Sequence, residues 1–258
     1  MAIFKEITSK DNAEIKRIVK LQSSARERRD TGLFVAEGLR VCDDCADNGI
    51  EIVMLVLSKN YYEKQGKSLN KYIEKAAETL LVSESVFSKI ADTKTPQGIL
   101  AVGKIPQATA KKINNGGRYV ALENIADPSN LGAIARTAEA IGVDGIIVSA
   151  DGCDPYSPKV IRASMGTVLR LDIIVSDNIV DDLKNSGLRL YGCVVKGGKD
   201  IRDVVFQNGS AVVIGNEANG LTEDVKKISQ NITIPMQGFA ESLNAAAAAA
   251  IAMWELKR

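Results

Sequence analysis

The second half of the chain alternates short apolar runs with helical patterns, and this alternation constrains the fold more than any other feature. The runs RYVALEN, DGIIVSA and SAVVIGNE predict strands, whereas LGAIARTAEAIG and SLNAAAAAAIAMWELKR predict helices. Short, continuously apolar strands separated by helices are typical of a parallel sheet that is buried on both faces. The sequence from residue 118 onward therefore predicts an α/β domain with a parallel sheet.

The first 105 residues predict a separate and smaller α/β domain. Helical IKRIVKLQ and NKYIEKAAETL alternate with the strand-like runs LFVAEG, IEIVMLVLS and GILAVGK. Between the two halves, Lys104 to Arg118 is rich in Lys, Asn, Gly and Pro and contains little that could enter a core. We therefore predict a first domain over 1–105, a linker over 106–117 and a second domain over 118–258.

The chain contains no histidine, which removes several classes of active site at once. Ser-His-Asp and Cys-His nucleophile systems are excluded, as are imidazole acid–base chemistry and mixed Cys/His zinc sites. Cys42 and Cys45 form a C-x-x-C, but a zinc site needs two more ligands and no second pair exists. Their helical spacing on an apolar stripe predicts buried structural cysteines and no metal site.

Charge and hydropathy say little about partners when taken over the whole chain. The 33 basic and 32 acidic residues give a net charge of +1. No apolar run approaches the ~18 residues of a membrane span, and the first residues lack the apolar core of a signal peptide, so we expect a cytoplasmic protein. Basic residues do cluster between Lys5 and Arg29, a pattern that favours nucleic-acid binding or, alternatively, an ordinary solvated helix face.

Three unusual loops follow predicted strands, at the positions where parallel sheets bind ligands. The loops are Glu123–Gly132, Gly215–Gly220, and Ile234–Gly238 with its continuation to Asn244. In the first loop Asn130 is a plausible helix N-cap, and Arg136 follows on an otherwise apolar helix, where an arginine needs a partner or a phosphate. Taken singly, these loops could also be well-made turns with ordinary capping residues. No G-x-G-x-x-G follows a strand, which argues against a dinucleotide-binding dehydrogenase.

Taken together, the loops resemble the motifs of the SpoU (TrmH) family of RNA ribose 2′-O-methyltransferases in the SPOUT superfamily. The matching stretches are Asp127-Pro128-x-Asn130-x-Gly132-x-x-x-Arg136, then Ile214-Gly215-Asn216-Glu217-x-x-Gly220, then Ile234-Pro235-Met236 and Ser242-Leu243-Asn244. Ser157–Gly166 also matches a family stretch. In the first half, Phe34–Gly38 and Gln97–Ala101 are similar to the family's substrate-binding domain.

The resemblance implies both a fold and an activity. The fold would be a parallel sheet whose C-terminal segment forms a deep trefoil knot, preceded by a small α/β substrate-binding domain. The activity would be methyl transfer from S-adenosylmethionine to a ribose 2′-hydroxyl of RNA, in a homodimer whose active site forms between two subunits. A distinct N-terminal domain resembles the members that act on large-subunit (23S) ribosomal RNA. The alternatives are a transfer-RNA 2′-O-methyltransferase and a catalytically silent RNA-binding relative.

The resemblance also assigns site residues. Gly215, Ile234 and Leu243 would contact the cofactor, with Asn216 and Met236 nearby. Arg136 would act as general base or would orient an RNA phosphate. The pocket for the ribose and for Arg136 would be shaped by Asn130, Glu217, Ser242 and Asn244. The candidates for phosphate contacts in the substrate-binding domain are Lys16, Arg17, Lys20, Arg26, Arg28 and Arg29.

Overall fold

The structure, a computed structural model, describes residues 3–106 and 113–258. The chain divides into two compact units, the first comprising residues up to 107 together with 156–170, and the second 108–155 together with 171–258. Half of the predicted linker, 107–112, lies outside the described residues.

The observed second unit differs from the predicted second domain in two segments. Among the described residues it includes 113–117, which we predicted as linker. Residues 156–170 belong to the first unit, although we predicted a continuous domain over 118–258. Two ion pairs connect this segment to the rest of the first unit, between Arg162 and Asp92 at 2.5 Å and between Arg170 and Asp44 at 2.9 Å. The alternation of apolar runs and helices in the sequence does not indicate that 156–170 belong to the first unit.

The first unit is built on a mixed five-stranded sheet. Its elements are β1 (Ile3–Ile7), α1 (Ala13–Ser23), α2 (Ala25–Thr31), β2 (Leu33–Glu37), α3 (Leu39–Asp47), β3 (Ile52–Ser58), α4 (Lys59–Gln65), α5 (Asn70–Ile73), β4 (Ala76–Val82), α6 (Glu84–Ile90) and β5 (Ile99–Lys104). The strand order is β1-β4-β3-β5-β2, and β5 runs antiparallel to both of its neighbours. A buried core that includes Ile15, Ile18 and Leu21 of α1 packs on one face of the sheet.

The second unit is built on a seven-stranded sheet in which every pairing is parallel, as the sequence predicts. Its elements are β6 (Arg118–Leu122), α7 (Pro128–Ile141), β7 (Gly145–Ser149), then α8 (Pro158–Ala163) within the first unit, β8 (Ile173–Ser176), α9 (Ile179–Asn185), β9 (Arg189–Cys193), β10 (Lys199–Asp200), β11 (Ser210–Ile214), α10 (Glu223–Ile228), β12 (Gln230–Thr233) and α11 (Ala245–Lys257).

The strand order β10-β12-β9-β11-β6-β7-β8 places a topological switch between β6 and β11. From β6 the chain proceeds to β7 and β8 on one side, whereas β9, β11 and β12 lie on the other. Helices cover the sheet. Side chains of α9 and α10 join a buried cluster with several strands, and α7 and α11 pack against each other and against β6, β7 and β11. Loops after β6, β11 and β12 therefore meet at one edge, where α/β sheets bind ligands.

Several local predictions are corrected. The run NKYIEKAAETL is not one helix, because α5 ends at Ile73 and the chain then enters β4. Asn130 is not an N-cap: Asp127 caps α7 by accepting from Ser129 N, and Asn130 lies within the first turn with its side chain free for other partners. The helix C-cap at Gly142 is confirmed by its left-handed conformation.

Arg28 is also corrected as a candidate phosphate contact. Its side chain is only 4% exposed, and its guanidinium donates to the carbonyl oxygens of Leu21 and Gln22 at 2.5 and 3.1 Å. The residue therefore joins α2 to the end of α1. A buried arginine is unavailable to an external phosphate, since leaving those carbonyls would cost the hydrogen bonds that compensate its burial.

The cysteines have the structural role that their spacing predicts. Cys42 and Cys45 are fully buried in α3, and burial raises the pKa of Cys45 to about 12. Cys42, Cys45 and Cys193 form no disulfide. Within residues 3–106 and 113–258, no group of three or more His, Cys, Asp or Glu side chains could hold a metal ion. No helix in the same part of the chain is long and apolar enough to cross a membrane.

Candidate active site

A cleft of about 390 Å³ opens in the second unit where the three motif loops meet. Its size falls within the range of small-molecule sites. The residues predicted from the motifs that line this cleft are Gly215, Asn216, Glu217, Ile234, Met236, Ser242, Leu243 and Asn244. The structure thus brings together every predicted cofactor residue.

Sequence reasoning missed a second group of lining residues, namely Cys193, Val194, Val195, Ala245 and Ala248. Cys193 ends β9 and the two valines follow it, whereas the two alanines belong to the first turn of α11. Their apolar character gave no sign of function, because the same residues serve equally well in a core. Their position at a strand end beside the topological switch was the available signal. Burial raises the pKa of the Cys193 thiol to about 12.

The loop after β11 is held in a narrow turn that requires glycine. Asn216 N donates to the Gly220 carbonyl oxygen at 3.1 Å, and Gly220 N donates to that of Asn216 at 2.8 Å. A Cβ atom on Gly215 would lie 2.5 Å from the Gly220 carbonyl oxygen and closer still to other backbone atoms. The two ends of the turn therefore touch through their backbones.

Two side chains join this turn to the loop after β6. The Asn216 side-chain amide donates to the Asn124 carbonyl oxygen at 2.8 Å. The buried Glu123 carboxylate accepts from Thr222 N at 2.9 Å and from the Thr222 hydroxyl at 2.5 Å. These two hydrogen bonds connect the end of β6 to Thr222, which follows the turn, and so fix the spacing of the two loops.

A chain of three side chains connects the motif loops at the mouth of the cleft. Asn130 of α7 donates from Nδ2 to the Glu217 carboxylate at 2.8 Å, and its Oδ1 accepts from Asn244 Nδ2 at 2.9 Å. Asn244 in turn caps α11, since its Oδ1 accepts from Ala246 N and Ala247 N. Each of the three motifs contributes one member, so the cluster depends on the whole fold of the second unit.

Hydrogen-bond donors around Glu217 favour its charged form. Partial burial would raise the pKa of Glu217, but hydrogen bonds from Asn130 and from Ala126 N and Asp127 N outweigh that effect and lower it. A lowered pKa in the folded state means that the charged form stabilises the fold.

We expect Glu217→Gln to reduce the free energy of unfolding by about 1 kcal/mol at pH 7, because one acceptor oxygen becomes a donor that faces N–H groups. The contribution of a carboxylate with a lowered pKa is present above its unfolded pKa and is lost as pH falls through the folded value. The difference between wild type and variant should therefore shrink with acidification. Denaturant unfolding at pH 7 and near pH 3 measures it, with exposed Glu241→Gln as control. A difference that stays constant with pH would contradict this account.

Arg136 lies apart from this cluster within a single chain. It is exposed on α7 and makes no hydrogen bond or ion pair with any residue that the structure describes. Six residues after Asn130, it points to a different side of the helix. The sequence predicts either a partner or a phosphate for Arg136. Glu217, the expected carboxylate partner, does not contact it in one copy of the chain, and contact with a phosphate stays a prediction.

The remaining predicted phosphate contacts are exposed on α1 and α2. Lys16, Arg17, Lys20 and Arg26 each approach an acidic neighbour, at distances of 3.7, 3.8, 2.6 and 3.4 Å. Exposed ion pairs of this kind contribute little free energy, so these cations remain able to exchange partners. Arg29 is exposed and forms no such pair within the described residues.

Comparisons with known proteins match both units. The SpoU rRNA methylase family profile matches residues 117–254, and that of the MRM3-like substrate binding domain matches 12–101. The chain is 30% identical over 260 residues to the 23S rRNA (guanosine(2553)-2′-O)-methyltransferase RlmP of Bacillus subtilis, covering 98% of this chain and 99% of that protein.

Solved structures match over the same length. An AdoMet-bound rRNA methyltransferase from Sinorhizobium meliloti has a TM-score of 0.84 at 30% identity and covers 98% of this chain and 97% of that one. The SpoU methyltransferase AviRb from Streptomyces viridochromogenes, in complex with AdoMet, has a TM-score of 0.86 at 25% identity, covering 95% and 97% of the two chains.

Proposed function

Because the chain belongs to the SpoU rRNA methylase family, we propose that it transfers a methyl group from S-adenosylmethionine to a ribose 2′-hydroxyl of large-subunit (23S) ribosomal RNA. The observation that carries the proposal is the meeting of all three motif loops at one cleft, joined by the Glu217–Asn130–Asn244 chain. The activity of the Bacillus subtilis relative supports the choice of substrate. Work on ribosomal RNA would take place in the cytoplasm.

The cleft suits S-adenosylmethionine by its donors and its walls. The close turn at Gly215 brings main-chain atoms to the wall of the cleft, and Ile234, Met236 and Leu243 would offer apolar surface for the adenine ring. S-adenosylmethionine supplies an electrophilic methyl group on a sulfonium. The residues of the cleft would hold it, and membership of the family implies that the loops carrying them form a deep trefoil knot.

The ribose hydroxyl must be oriented towards the methyl group and relieved of its proton. Arg136 would serve the second purpose as general base, or would hold an RNA phosphate so that the hydroxyl is in line. Arginine side chains hold their proton strongly in proteins, which favours electrostatic positioning over the role of general base. Asn130, Glu217, Ser242 and Asn244 would shape the ribose pocket.

In a single chain, Arg136 does not line the cofactor cleft. In a homodimer, Arg136 of one copy would reach the cleft of the other. The outer side of α11 carries exposed apolar side chains, with Trp254 64% and Ile251 39% exposed. Large exposed apolar side chains on one helix face are typical of a surface that a partner covers. We infer that a second copy packs there and that each active site combines the cleft of one copy with Arg136 of the other.

Ribose-methylation mapping of total RNA from cells with and without the protein tests this function. One ribose in large-subunit ribosomal RNA should lose its methyl group when the protein is absent, and purified protein should restore it with S-adenosylmethionine. Disappearance of a methyl group from transfer RNA instead would support the alternative substrate. Binding of S-adenosylmethionine by calorimetry with no methyl transfer to any RNA would identify a silent relative and would overturn the proposal.

The basic surface of α1 and α2 gives a separate prediction. Arg17→Ala combined with Arg29→Ala should weaken binding of ribosomal RNA, and the slope of log K against log salt concentration should become shallower by about one for each phosphate that the variant no longer neutralises. Lys227→Ala on α10 changes the net charge in the other unit and should leave the slope unchanged. Affinity that does not depend on salt would count against this surface.

A further inference from the structure

A second cleft, of about 370 Å³, lies entirely within the first unit. It opens at the edge of the five-stranded sheet where β2, β3 and β4 end and where antiparallel β5 begins. Ser58 ends β3, Glu84 follows β4, and Gln97 and Gly98 precede β5. Ligands of α/β sheets bind outside the carboxyl ends of strands, and three strands of this unit end here.

Two motif stretches of the first half, Phe34–Gly38 and Gln97–Ala101, meet at this first-unit cleft. Gly38 N donates to the Ile99 carbonyl oxygen at 3.0 Å, and Leu39 N donates to Gln97 Oε1 at 2.7 Å. Gly98 has a φ of +97°, and a Cβ there would lie 2.6 Å from Tyr61 Cβ and 2.7 Å from Ser58 Oγ. The Gly98 backbone therefore packs directly against the side chains of Tyr61 and Ser58, which leaves no room for a larger residue at position 98.

The lining of the cleft combines aromatic surface with polar side-chain atoms that make no hydrogen bond to other described residues. Tyr61 supplies a half-buried aromatic ring, whereas Phe87 belongs to the buried core beneath the cleft. The Asn60 side-chain amide and the Lys64 ammonium make no hydrogen bond or ion pair with any described residue. Gln97 uses its side-chain oxygen on Leu39 N, which leaves its amide nitrogen as a possible donor in the lining of the cleft.

We propose that the first-unit cleft binds one unstacked base of the RNA, with Tyr61 against the base, the Asn60 and Gln97 amides at its edge and Lys64 on the adjacent phosphate. Proteins read RNA sequence mainly from splayed bases that stack on aromatic side chains and hydrogen-bond along their edges. An aromatic ring, two amides and one cation within a nucleotide-sized cleft supply each of these contacts. The proposal rests on the proposed function only in taking RNA as the ligand.

The double variant Asn60→Ala with Lys64→Ala tests the site in the full-length protein. The Kd for unmethylated large-subunit ribosomal RNA and the KM for the same RNA should both rise about tenfold. The kcat and the Kd for S-adenosylmethionine should stay unchanged, because the cofactor cleft lies in the other unit. The matched control is Lys67→Ala with Asn70→Ala, which removes the same residue types next to the cleft without touching its lining.

Photo-crosslinking with 4-thiouridine-substituted ribosomal RNA locates the base independently of catalysis. A cross-link within residues 58–65 or 96–98 that disappears in the double variant supports the site. If wild type and double variant bind and methylate the RNA equally and no cross-link falls there, the site is wrong while the proposed function stands. If the cross-link forms but no ribose is methylated, the site stands and the proposed function fails.

Discussion

Arg136→Ala should lower the rate of methyl transfer to ribosomal RNA by about 10²–10⁴-fold, the range expected for loss of a group that moves or positions a proton. The Kd for S-adenosylmethionine should not change, because Arg136 does not line the cofactor cleft. The fold should also be unaffected, since the exposed side chain has no partner among the described residues. The expected effect therefore lies on the reaction alone, in which the family resemblance gives Arg136 its role.

Single-turnover methylation with a radiolabelled methyl donor measures this effect, with calorimetry for the cofactor. Arg189→Ala, which removes another exposed arginine of the second unit, is the control and should keep wild-type rates. Arg136→Lys separates two roles: a lysine can still contact a phosphate as a point charge, whereas it cannot reproduce the planar fork of a guanidinium. Wild-type rates in Arg136→Ala would mean that the residue has no part in the chemistry.

The parallel sheet was predictable because its signal is local. Each strand buried on both faces reads as a short apolar run, and Gly142 marks the end of α7 by a conformation that glycine adopts readily. The placement of 156–170 in the first unit was not predictable, because it depends on long-range pairs such as Arg162 with Asp92. The same applies to Arg28, whose burial follows from a bend between two helices rather than from its own neighbours in sequence.

The sequence predicts which residues form the site, but it does not predict how their side chains contact one another. The motif spacing placed Glu217 and Asn244 in one predicted pocket, and the structure adds that Asn130 lies between them as donor to one and acceptor from the other. An asparagine after a turn is read from sequence as a helix cap, since that is its commonest use. Only the positions of the other two loops show that its side chain is committed elsewhere.

Gly215→Ala should abolish measurable cofactor binding, raising the Kd for S-adenosylmethionine by at least about 100-fold, or roughly 2.7 kcal/mol. The added Cβ would press on the backbone of Gly220 and Leu221, where no side chain can move aside. The turn would have to open, which breaks the paired hydrogen bonds between Asn216 and Gly220. Asn216 and Glu217 both lie on this turn, so the wall of the cleft and the support of Asn130 would shift together.

Gly238→Ala is the matched control for this substitution. Gly238 follows Ile234 and Met236 in the third motif loop, but a Cβ there meets nothing within 4 Å and the residue does not line the cleft. It should keep wild-type cofactor affinity. Calorimetry gives both Kd values, and thermal unfolding shows whether the domain remains folded. Unchanged affinity in Gly215→Ala would mean that the cofactor does not depend on the closed turn.

Mixing the two inactive variants decides whether the site is shared between copies. In a two-fold dimer, the cleft of an Arg136→Ala copy would receive Arg136 from a Gly215→Ala copy, giving one complete site in each mixed dimer. Random exchange at equal concentrations makes half of the dimers mixed, so about a quarter of wild-type activity should return. If Arg136 instead acted within its own chain, each copy in the mixture would still lack one component and no activity would return. Recovery of activity therefore requires a second copy that completes the cleft, which the exposed position of Arg136 leads us to expect.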